Sequence, residues 1–287
     1  MPTSTFSSPS RMSMRFDKLN SVLFSALNCI FSCILLLIAC SNVSWAQTKA
    51  VDNTAADNTK RLNTSLRLMT HSQRAVKLYY QAVLNVELDQ TRPKINESIS
   101  IVSNNLDKLQ SDNLTGPALT YLKEADATWS SMVRQVSGAP SKEGADAVQK
   151  SSAKLLDSLE KLTAELAKAK KSSNSDIVVL VNSQIALSQR IARNYFAMHI
   201  GLAGNSNKAR LIELLKRFTT IQEELEAFAS TNAKLKDDFD LIKVQLLFFK
   251  NILERADVSN KNDLVSMAKI SGRLLEVLGR MEVEFAK

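Results

Sequence analysis

Cysteine is absent from everything beyond residue 40: the three in this 287-residue chain are Cys29, Cys33 and Cys40. Disulfides, thiolate catalysis and cysteine-ligated zinc are therefore excluded for the bulk of the protein. Histidine is nearly absent too. His71 and His199 are the only two and occupy non-equivalent positions, so they form no repeated ligand set. Glycine and proline number only 7 and 5, and no glycine-rich phosphate loop, paired-histidine metal motif or Ser-His-Asp grouping on a strained turn is present. The expectation is a protein without enzymatic activity, cofactor or metal.

Long apolar runs are equally scarce, with one clear example from Val22 to Ala39. Basic residues precede it at Arg15 and Lys18, and Ser44-Trp45-Ala46 follows, placing small residues at the third and first positions before a cut. Residues 1–46 are thus expected to be a secretory signal peptide. Leu37-Ile38-Ala39-Cys40 also resembles the lipobox of bacterial lipoproteins, in which Cys40 is lipidated and becomes the N-terminus. An uncleaved membrane anchor is a third arrangement, since the run approaches the ~20 residues that span a bilayer. All three place the remainder outside the cytoplasm, in the periplasm of a bacterial envelope. Without Arg11, Arg15, Lys18 and Asp17, the 37 basic and 29 acidic residues become 34 and 28, a net charge of +6. So small an excess suits solubility, envelope polyanions or small anions rather than nucleic acid.

What the rest contains is a tandem repeat. Ser72-Gln73-Arg74 recurs as Ser188-Gln189-Arg190 at an offset of 116, each followed by a basic residue (Lys77, Arg193) and an aromatic pair (Tyr79-Tyr80, Tyr195-Phe196). The similarity returns at the other end of each unit, where the segment from Ser152 to Lys168 matches that from Ser271 to Lys287 at an offset of 119. After a flexible segment at 47–60, the first module spans 61–168, a connector 169–176 and the second module 177–287.

Each module reads as four amphipathic helices. Pro93, Pro117 and Pro140 mark three connections in the first, because proline is tolerated at helix starts and in turns but not in helix interiors. In the second, Gly201 to Asn207, Ser230 to Asn232 and Asp257 to Asn262 supply the turn residues. Leu211, Leu214, Phe218, Ile221, Leu225 and Phe228 alternate spacings of 3 and 4, as do Leu235, Phe239, Ile242, Leu246, Phe249 and Leu253. That is the seam of antiparallel helices at a shallow angle. The β-branched run from Ile177 to Val181 has no partner strand and reads as a helix start, with Val178, Val181, Ile185, Ser188, Ala192 and Tyr195 inward. The expected fold is all-α: two tandem antiparallel four-helix bundles. Because 167–176 lacks glycine and proline, they are expected to stack into an elongated rod through a long central helix. A break at Ser173-Asn174-Ser175, with Asn174 or Ser175 as the new cap, is the alternative.

Ser72 and Ser188 fall in the inward stripes and need a hydrogen-bond partner there. Arg74 with Lys77, and Arg190 with Arg193, are like charges three apart, a repulsive pairing that carboxylates of neighbouring helices or a bound anion would relieve. Arg67 extends the first row. Trp129, Tyr121 and the Phe248-Phe249 pair are expected to be core or interface aromatics.

The repeated motif resembles the PilJ-type sensor domain, also described as NarX-like, of type IV pilus chemotaxis transducers and nitrate/nitrite sensor kinases. The family pattern approximates N-x-A-G-R-Q-R-M-L-S-Q-R-M-A-K followed by an aromatic. Asn63, Arg67, Ser72, Gln73, Arg74, Lys77 and Tyr79 match it in the first unit; Gln184, Leu187, Ser188, Gln189, Arg190, Ala192, Arg193 and Tyr195 match it in the second. Ser65-Leu66 and Val181-Asn182 replace the family's Ala-Gly. Met69 and Ile185 replace the arginine that grips the anion in nitrate sensors, so nitrate binding does not carry over.

The resemblance implies an extracytoplasmic bundle that senses a ligand or partner and passes on helix displacement. No second span, methyl-accepting coiled coil or kinase follows here, so a signal is expected to pass through an envelope or inner-membrane signalling protein. The candidate ligand-binding residues are Arg67, Ser72, Gln73, Arg74, Lys77, Ser188, Gln189, Arg190 and Arg193, for a small anionic or polar ligand; a homodimer is a further arrangement. The alternative function is a structural helical adaptor, or lipoprotein scaffold, with no small-molecule ligand.

Overall fold

The long stretches without proline or glycine become long helices. A computed structural model describes residues 45–168, 174–202, 206–229, 235–255 and 260–285, so the leader and its three cysteines lie outside the described residues. The first module consists of α1 (Trp45–Val83), α2 (Leu88–Ser111), α3 (Gly116–Ser137) and α4 (Lys142–Lys168); the second, of α5 (Asn174–Ile200), α6 (Ser206–Ala229), α7 (Lys236–Arg255) and α8 (Lys261–Phe285). No strand occurs among the described residues. Ile177 to Val181 is helical, as its lack of a partner strand requires.

Two connections fall where proline indicates. Pro117 sits in the first turn of α3, where its missing N–H costs nothing, and Pro140 lies between α3 and α4. Pro93 does not mark a connection but lies inside α2. The chain turns earlier, at 84–87, where Asn85 and Glu87 take positive φ of 56° and 50° and the Val86 amide donates to the Gln81 carbonyl at 2.9 Å. That bond closes the end of α1 around a left-handed asparagine, a helix stop that needs no proline. Residues 47–60, expected to be flexible, are helical as the start of α1. No proline or glycine interrupts the chain from 47 to 92, and Ala50, Ala55 and Ala56 favour helix.

Packing follows the 3 and 4 spacing. Leu211, Leu214, Phe218, Leu225, Leu235, Phe239, Ile242, Phe249 and Leu253 are buried, while Ile221 and Leu246 are partly so; the Phe228 side chain lies outside the described residues. Burying each such side chain contributes about 1.5–3 kcal/mol. Trp129 is in the core with its indole N–H on Ser103 Oγ, Tyr121 lies under the Lys161 ammonium, and Phe248, unlike Phe249, is exposed.

Val51–Lys287 forms one compact unit, and within it the two modules lie side by side. The expected rod is not formed. Arg190 in α5 donates to Glu160 in α4 at 2.9 Å, whereas in one continuous helix these residues would be roughly 45 Å apart at 1.5 Å per residue. α5 begins a new helix at Asn174, folded back along α4; the connector at 169–173 lies outside the described residues. Lateral packing wins because α1 and α5 carry buried residues on all sides, and an end-to-end stack would leave one face of each in water.

Candidate functional site

The repeated motif lies where the modules meet, and its contacts obey an approximate two-fold relation. Lys77 Nζ in α1 donates to Ser271 Oγ in α8 at 3.0 Å. Its counterpart, Arg193 in α5, donates through Nη1 to Ser152 Oγ in α4 at 3.1 Å. Lys77 and Arg193 correspond at an offset of 116, Ser152 and Ser271 at 119. Each motif helix therefore inserts its basic residue into the last helix of the other module, at the same serine. Arg193 Nη1 also reaches Gln73 Oε1 at 2.5 Å, joining the two motif helices directly, and Gln189 Nε2 donates to the Ser271 carbonyl.

The motif serines are satisfied locally, Ser72 on the Met69 carbonyl and Ser188 on that of Ile185. The arginines three residues from the buried cations find carboxylates: Arg74 bonds Glu97 at 2.9 Å, Arg190 bonds Glu160, and Arg74 holds the Glu97 carboxyl below its ordinary range. Lys77 and Arg193 have no carboxylate partner among the described residues. Arg193 compensates with Gln73, Ser152 and Asn194; burial pushes its pKa down to about 10, so it stays charged at neutral pH.

Lys77 is less well served. Its ammonium has three donors and only Ser271 Oγ to receive them, with Arg74 and Lys94 nearby. Burial, and then those charges, lower its pKa from 10.5 to about 7. The fold resists protonation here: the stability Lys77 contributes is complete above about 10.5 and falls away as pH drops toward about 7. A bound anion reverses that sign by favouring the ammonium.

Lys77 opens onto one of two cavities along α1, between α2 and α8. The smaller, about 110 Å³, is lined by Arg74, Lys77, Gln81, Thr91, Lys94 and Gly272 among others, with Glu87 and Glu276 as its acids. The larger, about 420 Å³, is lined by Arg67, Thr70, His71, Asn105, Gly279 and Glu282 among others, and Leu275 borders both. Arg67 donates through Nε and Nη2 to Glu282 Oε1. His71 is held neutral, its pKa lowered to about 4 by burial and then by Arg74.

Of the nine candidates, Arg67, Arg74 and Lys77 border these cavities. Ser72, Gln73, Ser188, Gln189 and Arg193 lie in the closed interface between modules, and Arg190 is tied to Glu160. Thr70, His71, Lys94 and the two glycines were not legible in the motif itself. Aligning the module ends marks one of them, since Gly279 stands where the first module has Glu160. Compared with protein-family models, curated proteins and solved structures, the chain matches none.

Proposed function

We propose that this protein is an extracytoplasmic, sensor-like binding protein that takes a small anionic ligand in the groove along α1 and acts through an envelope partner. One observation carries the reading: Lys77 is a buried amine with a single hydroxyl acceptor and no carboxylate partner among the described residues, bordering a cavity together with Arg74 and Lys94. Burial disfavours the charged form of this amine, so an anion bound beside it would be taken up together with a proton. The 110 Å³ cavity is large enough for an ion of a few heavy atoms. Extracytoplasmic placement and the relation to pilus and chemotaxis sensors rest on the leader and the repeated motif alone.

The test is the thermal midpoint of the purified chain against sulfate, phosphate, nitrate and carboxylates at constant ionic strength. A ligand selective for the native state gives a saturable rise, about 2.7 kcal/mol at a hundred times its Kd. Lys77→Met should abolish that rise while keeping the fold. A flat panel would transfer weight to the adaptor reading, which the reciprocal Lys77–Ser271 and Arg193–Ser152 contacts favour, since they employ the motif as a clasp between modules.

A further inference from the structure

Four helices, two from each module, meet around the larger cavity. Thr70 and His71 come from α1, Asn105 from α2, Asn182 from α5 and Gly279 from α8. A Cβ added at Gly279 meets nothing within 4 Å, so that part of the wall is open. The charges of the lining cancel. Arg67 directs Nε and Nη2 to Glu282 Oε1, His71 is neutral, and the remaining ionic side chain, Lys108, is exposed at the rim.

The polar side chains of this lining forgo bonds that the same residue types make elsewhere in the chain. Thr64, Thr91, Thr128, Thr163, Thr219 and Thr220 each donate to the carbonyl four residues back, the local bond open to a threonine in a helix. The hydroxyl of Thr70, a residue only 3% exposed, has no partner among the described residues. His199 Nδ1 lies 2.9 Å from the Tyr195 carbonyl, again four residues back, whereas His71 Nδ1 is unpaired. Asn105 is 6% exposed, and its amide makes no hydrogen bond to the described residues. Buried polar groups are as a rule hydrogen-bonded, and here three that are not border one cavity.

We infer that this cavity binds an uncharged, hydroxyl-rich molecule of monosaccharide size. Hydroxyl, neutral imidazole and carboxamide groups each both donate and accept, which matches a ligand whose own hydroxyls do the same. Ile101, Ile185 and Leu275 give an apolar wall for its C–H face. The volume, about 420 Å³, lies in the range of small-molecule sites. A charged ligand finds no free counter-charge inside, because Arg67 and Glu282 answer each other. The site is distinct from the smaller cavity at Lys77, and the inference does not rest on anion binding there. Because its walls come from both modules, an occupant ties α1 and α2 to α5 and α8.

The experiment is calorimetric titration of the full chain with D-glucose, myo-inositol and glycerol, with D-glucuronate and D-glucosamine as the charged counterparts of glucose. Saturable binding of glucose or inositol is expected, at least about tenfold tighter than that of either charged counterpart, the scale of one charge left without a partner. Thr70→Val removes only the hydroxyl and should weaken binding about threefold or more, the scale of one neutral hydrogen bond. Its thermal midpoint should hold, since the hydroxyl it loses has no partner in the fold. Asn105→Leu repeats the test from α2 and replaces Thr70→Val if that variant does not fold; the comparison of charges stands in the unaltered protein either way. Glucuronate or glucosamine bound as tightly as glucose overturns the assignment. So do uncharged binding that neither substitution weakens, binding of glycerol alone, and no binding of any of the five. None of these results bears on anion binding at Lys77, which the sulfate and phosphate panel tests separately.

Discussion

At Gly144, in the first turn of α4, an added Cβ collides with the Tyr79 hydroxyl oxygen. That hydroxyl donates to the Ala139 carbonyl at 3.1 Å and accepts from the Ser141 amide, so it anchors the connection between α3 and α4. Gly279 has the opposite surroundings. The two glycines should therefore respond in opposite directions to the same substitution. Gly144→Ala should lower unfolding stability by about 1–3 kcal/mol through overpacking, and Gly279→Ala should raise it by about 0.5–1 kcal/mol through helix propensity. Urea denaturation of both variants decides the matter; a loss at Gly279 would mean that the groove wall is not open. Composition reveals neither effect, because both glycines sit in helices and differ only in what faces them.

At the scale of the helix, the stop that ends α1 depends on Asn85 in the left-handed region. Asn85→Ala should destabilise the protein by about 1–2 kcal/mol, the cost of that conformation for an ordinary residue, whereas Asn85→Gly should be neutral or stabilising. Equal effects in a denaturant series would show that the turn re-forms elsewhere. The stop was hidden in the sequence because proline at Pro93 is the louder signal, yet it falls inside α2. The apolar helices were more legible. Leu211, Leu214, Phe218 and Leu225 occupy the core as their spacing requires, since water drives apolar side chains to one face irrespective of context. Ser72, Gln73 and Lys77 are equally buried, but polar side chains carry no such signal. Their burial follows from the second module covering the face that a single bundle would leave to solvent.

For the molecule as a whole, repetition was legible and arrangement was not. Two copies of Ser-Gln-Arg establish two modules, but a rod and a lateral pair have the same repeats, and the choice depends on side chains meeting across the boundary, such as Arg190 on Glu160. Lateral packing gives Arg190 a carboxylate of the other module, Glu160, and leaves Lys77 buried on a single serine hydroxyl beside a cavity. The proposed binding function turns on that lysine, and the most direct measurement is the pKa of Lys77 by NMR of the side chain, in the full chain, with and without saturating sulfate or phosphate. The expected result is titration near 7 without anion, displaced upward when an anion occupies the cavity that Lys77 lines. An ordinary value near 10.5, unmoved by any anion, would mean that Lys77 is solvated and that the groove along α1 is not a binding site.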